Sequence, residues 1–397
     1  MGRPAPAALA EPAGDLPPRD LVLVGAGHTH VQVLQSLAER PLAGVRVTLV
    51  VDRPEAVYSG MVPGFVAGDY TARELEIDGA ALARRAGAHA LLAPALRVDP
   101  HARRIHVEGA PPLAYDAASL DLGSTVRGRD VPGVSEHALA TRPIRRLVDT
   151  LEWYLARARR AAAAARRDEL EVAVVGGGAA GVELAFTLEA RLRRAAQRSR
   201  VRVLTDEDRV LPEMPPRAAR RLAAEGAPRG ISFRTGARVG AVHEDALQVE
   251  GAGRPLFADL VVWAPGAAPP PLLAASPGLP LDPAGFLRVR STLQVEGFDE
   301  LFAAGDCATL AEHPWVPKAG VYAVRQGPVL DANLRAHLAG EALRPYRPQR
   351  VFLALLNLGD RRALAVRRPF VAGGRLAWHL KDRIDRRFVA RFQAAGG

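Results

Sequence analysis

Cysteine is nearly missing from this 397-residue chain, whose one thiol is Cys307. A disulfide needs two sulfurs a few ångströms apart. A bond within the chain, and dithiol–disulfide exchange by the chain alone, are therefore excluded. The lone thiol also fits a reducing compartment. Lysine is almost as scarce, standing only at 318 and 381, so nearly all of the 53 basic residues are arginine. That skew reads as genome composition rather than selected basic patches. A net charge of +10 and a pI near 10.6 still favour anionic partners: dinucleotide phosphates, acidic proteins or an anionic membrane face. No aromatic-and-arginine module or zinc-ligand spacing accompanies the charge, which argues against nucleic acid. Also lacking is any run of the ~18 to 20 apolar residues that a spanning helix needs. The N-terminus, "MGRPAPAALAEPAGDLPPRD", puts proline and acids where a secretory signal needs an unbroken apolar run. The expectation is a soluble cytoplasmic chain, with attachment to the inner face of a membrane left open and residues 1–19 a flexible tail.

What is present is a globular composition, 48% apolar, and enough length for two or three domains. "LVLVGAGHTHVQVLQSLAE" reads as a buried parallel strand at 21–24, a tight turn at Gly25 and Gly27, and a helix over 29–39. Such glycines let the backbone approach a pyrophosphate, which then meets the free N–H groups of the helix start. His28 lies in this phosphate loop, and His30 replaces the third glycine. Neither has clustered cysteine or carboxylate partners, so no metal is expected. The next strand, "VRVTLVV", ends beside Asp52, a carboxylate placed for a ribose. "EVAVVGGGAAGVELAFTLEARL" repeats the pattern with a complete fingerprint, Gly176, Gly178 and Gly181, between strand 171–175 and helix 179–194. One such loop is weak evidence, but two in strand–turn–helix context point to two dinucleotide sites. The strand after the second loop ends at Thr205, then Asp206 and Glu207, with Arg209 following. Acids at this place favour NADH and arginine favours NADPH; this order leans to NADH.

Together these segments resemble the pyridine nucleotide-disulfide oxidoreductase superfamily. The resemblance implies an α/β fold of two Rossmann-like domains, for FAD and NAD(P), the second inserted into the first, with a small C-terminal α+β segment. "YDAASLDLGS", with Gly123, resembles the strand closing the FAD half, usually written with an ATG ending; "ADLVVWAPGAAPP", with Gly266, resembles the return strand from the NAD domain. "DELFAAGDCATL" resembles the last FAD motif, in which Gly305 and Asp306 serve the flavin and Cys307 holds the place of a small packed residue, its position expected to lower its pKa somewhat. The motifs "VYSGMVPGFVAG", "PKAGVYAVRQGP" and "LKDRIDRRF" narrow the likeness to NADH dehydrogenase-like flavoproteins that occur alone or fused to selenophosphate synthetase. The expected units are 20–140 (FAD, first part), 141–261 (NAD(P)), 262–345 (FAD, second part) and 346–397 (an interface or membrane-surface segment).

The resemblance implies hydride transfer from NAD(P)H to FAD and onward transfer to a small acceptor such as a quinone. A reductase for a selenium-related or protein partner, or a flavin-responsive binding protein, stand as alternatives. The residues expected to act are Lys318, after Pro317 and before a helix at 319–338 directed at the flavin, and Glu183, facing the flavin from the nucleotide helix. Tyr58, Ser59, Gly60 and Met61 form either a flavin-contact loop or core, with Gly60 and Gly64 read as tight turns beside a ligand. Of a quinone site's glutamine-rich helix, Gln326 alone survives. Residues 143–166 read as a long helix. At the C-terminus, Trp378, Leu380, Ile384, Phe388 and Val389 form one face of a basic amphipathic helix, for the protein's own core, a homodimer or a membrane.

Overall fold

The computed structural model describes residues 18–393. The tail expected at 1–19 therefore falls outside the described residues up to residue 17, and Arg19 already opens the first strand. Two five-stranded sheets organise the chain. Their strands are β1 (Arg19–Val24), β2 (Val45–Val51), β3 (His89–Leu92), β4 (Ala117–Leu120), β5 (Ala138–Ala140), β6 (Glu169–Val175), β7 (Arg198–Leu204), β8 (Ile231–Arg234), β9 (Leu260–Trp263) and β10 (Leu301–Ala303). The first sheet has the order β10–β4–β1–β2–β3 and the second β5–β9–β6–β7–β8, with every pair parallel. All strands of the second sheet lie between β4 and β10 in sequence, so the second unit is inserted into the first.

The central strands are buried on both faces, which is why they read as unbroken apolar runs; Leu21 to Val24 and Val172 to Val175 are all buried. Around the sheets lie α1 (His30–Glu39), α2 (Val62–Ala67), α3 (Ile144–Ala164), α4 (Ala179–Arg194), α5 (Gly320–Ala339) and α6 (Arg375–Ala390). Strand order reverses beside β1 in one sheet and beside β6 in the other. The carboxyl ends of strands next to such a reversal form the crevice where doubly wound sheets bind ligands. Gly25, Asp121 and Gly305 follow β1, β4 and β10; Gly176, Thr205 and Gly266 follow β6, β7 and β9.

After α5 comes an antiparallel three-stranded sheet, β11 (Ala354–Asn357), β12 (Ala363–Arg367) and β13 (Phe370–Gly374), leading into α6. The phase of α6 differs from the sequence expectation. Trp378, Lys381, Asp385, Phe388 and Val389 are buried, while Leu380 and Ile384 are 45% and 47% exposed. The buried residues recur at helical spacing, so a lysine and an aspartate hold inward positions. Leu376, Leu380 and Ile384, four residues apart, form a second stripe facing outward.

Candidate functional site

The first glycine loop is not built as its motif suggests. Gly25 has φ +87° and its missing side chain makes room for the Asp121 backbone. Gly27 makes room for the Asp121 carboxylate: a Cβ there would overlap Oδ1, Cγ and Oδ2. Asp121 Oδ2 accepts the N–H groups of Thr29 and His30, both at 2.9 Å. His30, in place of the third glycine, is fully buried; its ring joins Gly25 O (2.7 Å) to Ser119 Oγ (2.8 Å) and so ties the loop to β4. The N–H groups of Ala26, Gly27 and His28 meet no acceptor among the described residues. The His28 ring turns away from the loop, and its Nε2 accepts from Ser59 N–H (3.2 Å) and lies 3.0 Å from Ser59 Oγ. Burial pushes the pKa of both histidines down, against the pull of Asp121. No metal-binding cluster occurs among the described residues.

Across this loop, the turn at Gly305 (φ +72°) is held by Gln326, whose Oε1 accepts the Gly305 N–H at 2.7 Å. Gly123 and Gly266, with φ of +64° and +116°, make the corresponding turns after β4 and β9. The Asp306 carboxylate pairs with the Arg142 guanidinium and accepts from Ser124 Oγ at 3.2 Å. Sequence reasoning missed Arg142, which sits where the chain crosses from one unit to the other. Cys307 is fully buried, with its thiol directed at Ala304 O (3.2 Å), and burial pushes its pKa up to about 12. The expected lowering of that pKa is thus reversed, because desolvation of a thiolate outweighs any benefit from the turn. Lys318 donates to Ala308 O and to Thr309 Oγ1 (2.7 Å), and its ammonium lies 4.1 Å from the centre of the Phe286 ring. Burial pulls its pKa down. Pro317, Lys318, Gly305, Asp306 and Gln326 line one narrow cavity.

A second cluster gathers charge between the two units. Glu183, one turn into α4, accepts the Asn357 N–H at 2.7 Å; burial raises its carboxyl pKa to about 7, although Lys381 opposes the shift. Lys381 Nζ donates to Gly60 O (2.6 Å) and Asp385 Oδ2 (2.8 Å). Burial works against this ammonium, yet Asp385 and Glu183 together hold its pKa above the ordinary value. Tyr58 OH donates to Asp385 Oδ1 at 3.2 Å, and the Tyr58 ring stacks on Phe388 at 4.6 Å and lies 5.1 Å from His28. Met61 is core, 1% exposed. Gly60 lies in a tight 3-10 turn, Ser59–Met61, and Gly64 within α2; neither has positive φ, and each makes room for an aromatic ring, Tyr58 and Tyr70 respectively. Lys381 and Asp385 are not among the site residues expected from the sequence. The available signal was rarity, since Lys381 is the chain's only lysine besides Lys318.

The second glycine loop fits its motif. Gly176 (φ +121°) leaves room for the Ala264 carbonyl, and a Cβ on Gly181 would overlap Gly176 O, so α4 packs hard against its own turn. Gly178 faces open space, with no heavy atom within 4 Å of where its Cβ would stand, and no side chain caps the start of α4. That is the cradle a pyrophosphate needs. Thr205 is buried with its hydroxyl turned to Glu207 N–H (3.3 Å), while Asp206 is exposed. Asp52, exposed just past β2, stands at the matching place in the first unit. Arg209 is committed to the Met214 and Pro212 carbonyls.

Comparison with known proteins agrees with this architecture. The pyridine nucleotide-disulphide oxidoreductase family matches residues 19–327. The chain is 30% identical over 256 residues to demethylphylloquinone reductase NdbB of Synechocystis sp.; the match spans 62% of this chain and 61% of that protein, under two thirds of its length. It is 24% identical over 368 residues to the NADH dehydrogenase-like protein YutJ of Bacillus subtilis, covering 92% of this chain and 97% of the relative. Among solved structures, NDH2 from Plasmodium falciparum in complex with NADH superposes with a TM-score of 0.79 at 15% identity, covering 94% and 97% of the two chains. The sulfide:quinone oxidoreductase from Aquifex aeolicus gives 0.78 at 16% identity, covering 94% and 91%. At these identities the structures establish a shared fold. The family match over most of the chain, with two glycine loops on two parallel sheets, makes this protein a member of the pyridine nucleotide-disulphide oxidoreductase family.

Proposed function

We propose that the chain is an FAD-dependent NAD(P)H dehydrogenase that delivers electrons to a quinone or similar small acceptor without a redox disulfide. The observation that carries this reading is a charged cluster: buried Lys381 and Asp385 of α6 bond the loop at 58–60, and half-buried Glu183 of α4, held by the Asn357 N–H, lies within reach of the Lys381 charge. Quinone reduction by NADH draws one proton from solvent for each hydride. Glu183, with a pKa near 7, holds such a proton at neutral pH, and Lys381 supplies the positive charge that lets it leave.

The residues present fit FAD in the first unit: Asp52 for a ribose, the open N–H groups of Ala26 to His28 for phosphate, and Asp306 with Arg142 and Ser124 for the chain between them. FAD, when bound, supplies acceptance of a hydride and onward electron transfer. Lys318 and the start of α5 place positive potential at the far end of the same crevice. Cys307, buried and neutral, takes no part. NADH is the favoured donor, because Asp206 and Glu207 follow β7 and Arg209 is already occupied.

No helix among the described residues is long and apolar enough to cross a membrane. The outward stripe Leu376–Leu380–Ile384, with Phe370 at 75% exposure and Arg383 and Arg387 exposed beside it, suits peripheral contact with an anionic cytoplasmic membrane face. A homodimer through the same stripe is the competing use. The central experiment is anaerobic stopped-flow of the FAD-loaded protein with NADH or NADPH, following absorbance near ~450 nm, then mixing with menadione. Bleaching and rapid recovery on quinone are expected. Nucleotide binding without bleaching would overturn the reading.

A further inference from the structure

The two glycine loops share a motif but not an electrostatic environment. At the second glycine of the NAD-side loop, Gly178, the space a side chain would fill is open and the start of α4 carries no acidic partner. At the corresponding Gly27 that space holds a carboxylate, and Asp121 occupies two N–H groups at the start of α1. Asp121 is 3% exposed and forms no ion pair among the described residues. Its charge is met by backbone N–H groups and the positive end of α1. A Cβ on Gly305 would also come within 2.7 Å of Asp121 Oδ1, so one carboxylate is wedged between both loops expected to serve FAD. The strand motif that usually ends ATG ends here in Asp121-Leu122-Gly123.

We propose that Asp121 is a built-in anion that competes with the flavin pyrophosphate for the start of α1. It keeps the cofactor-free fold capped and makes FAD an exchangeable cofactor instead of a permanently held one. This rests on the assignment of FAD to the first unit. The donors left over, at Ala26, Gly27 and His28, receive the pyrophosphate beside a like charge. Arg142 is paired with Asp306, not with Asp121.

The test separates a competing anion from a merely structural one by the sign of two effects. Asp121→Asn keeps the shape and removes the charge. It is expected to bind FAD about tenfold more tightly, the scale of one like charge screened near a protein surface. The same variant without FAD is expected to melt about 1–2 °C lower, from the weakened cap. A purely structural Asp121 would lose both stability and FAD affinity, and that result overturns the proposal. A double-mutant cycle adds a second arm. Gly27→Ala is expected to destabilise the wild type strongly but to be nearly neutral in an Asp121→Ala background, because the three nearest atoms to that Cβ all belong to Asp121. An equal cost in both backgrounds overturns it. If the variants do not fold, the wild type decides alone: FAD should dissociate with a micromolar constant on dilution, and retention at nanomolar protein refutes exchangeability. FAD bound equally by wild type and Asp121→Asn sinks this inference only, whereas FAD bound by neither sinks the proposed function with it.

Discussion

Glu183 holds its proton to about pH 7 because burial penalises its charge more than Lys381 and the Asn357 N–H relieve it. The unfolded chain releases the same proton at an ordinary glutamate pKa, so between those two values the folded state binds more protons. Stability therefore falls as pH rises from about 4.5 to about 7 and levels off above. Glu183→Gln is expected to flatten that window in urea melts and to be the more stable protein above it, while slowing quinone turnover. Removing Lys381 has the opposite effect on stability. Lys381→Met leaves Asp385 and Glu183 buried without their cation, and a loss of about 3 kcal/mol in urea unfolding is expected. A loss under ~1 kcal/mol, the range of a surface pair, would show that the cluster is solvated.

Helix starts and helix faces set the next scale. Gly178 and Gly181 belong to one motif but do different work at the start of α4. Gly178→Ala projects into open space, so the melting temperature should hold while NADH affinity falls about tenfold or more, read by fluorescence titration. Gly181→Ala collides with Gly176 O and should lower stability first. On α6, Leu380→Glu with Ile384→Glu touches only the outer stripe. Folding and soluble menadione reduction should be unchanged, and co-sedimentation with anionic vesicles should be lost. Retained vesicle binding, with loss of a dimer in analytical ultracentrifugation, would assign the stripe to a second copy of the chain.

At the scale of the molecule, two sheets each present an open carboxyl edge, and α2 of the first unit packs on α4 of the inserted one. Under the proposed function, the acids after β7 stand where the donor's 2′ position would be recognised, with Arg209 held by two carbonyls. kcat/KM for NADH should exceed that for NADPH by about tenfold or more in steady-state assays with menadione. Equal values would mean that another arginine, such as the exposed Arg234 beside the end of β7, reaches the 2′-phosphate.

Local physics sufficed for the two Rossmann units. Strands buried on both faces must be apolar throughout, and helix starts need anions or caps; helix 179–194 and the turn glycines Gly25 and Gly176 are legible on those grounds alone, whereas Gly305 comes only from the family resemblance. The absence of a second cysteine likewise settles from composition that the chain by itself forms no disulfide. Tertiary structure decided what fills each space. Gly27 reads as an approach for phosphate, yet its neighbour is Asp121, ninety-four residues away in sequence and brought there by the β1–β4 pairing. Leu380 and Ile384 read as part of the buried face of an amphipathic helix, yet the phase of α6 against the loop at 58–60 turns Lys381 and Asp385 inward instead. Periodicity reports that a helix has a face. Which neighbour receives it depends on contacts between distant segments, and those form only when the whole chain folds.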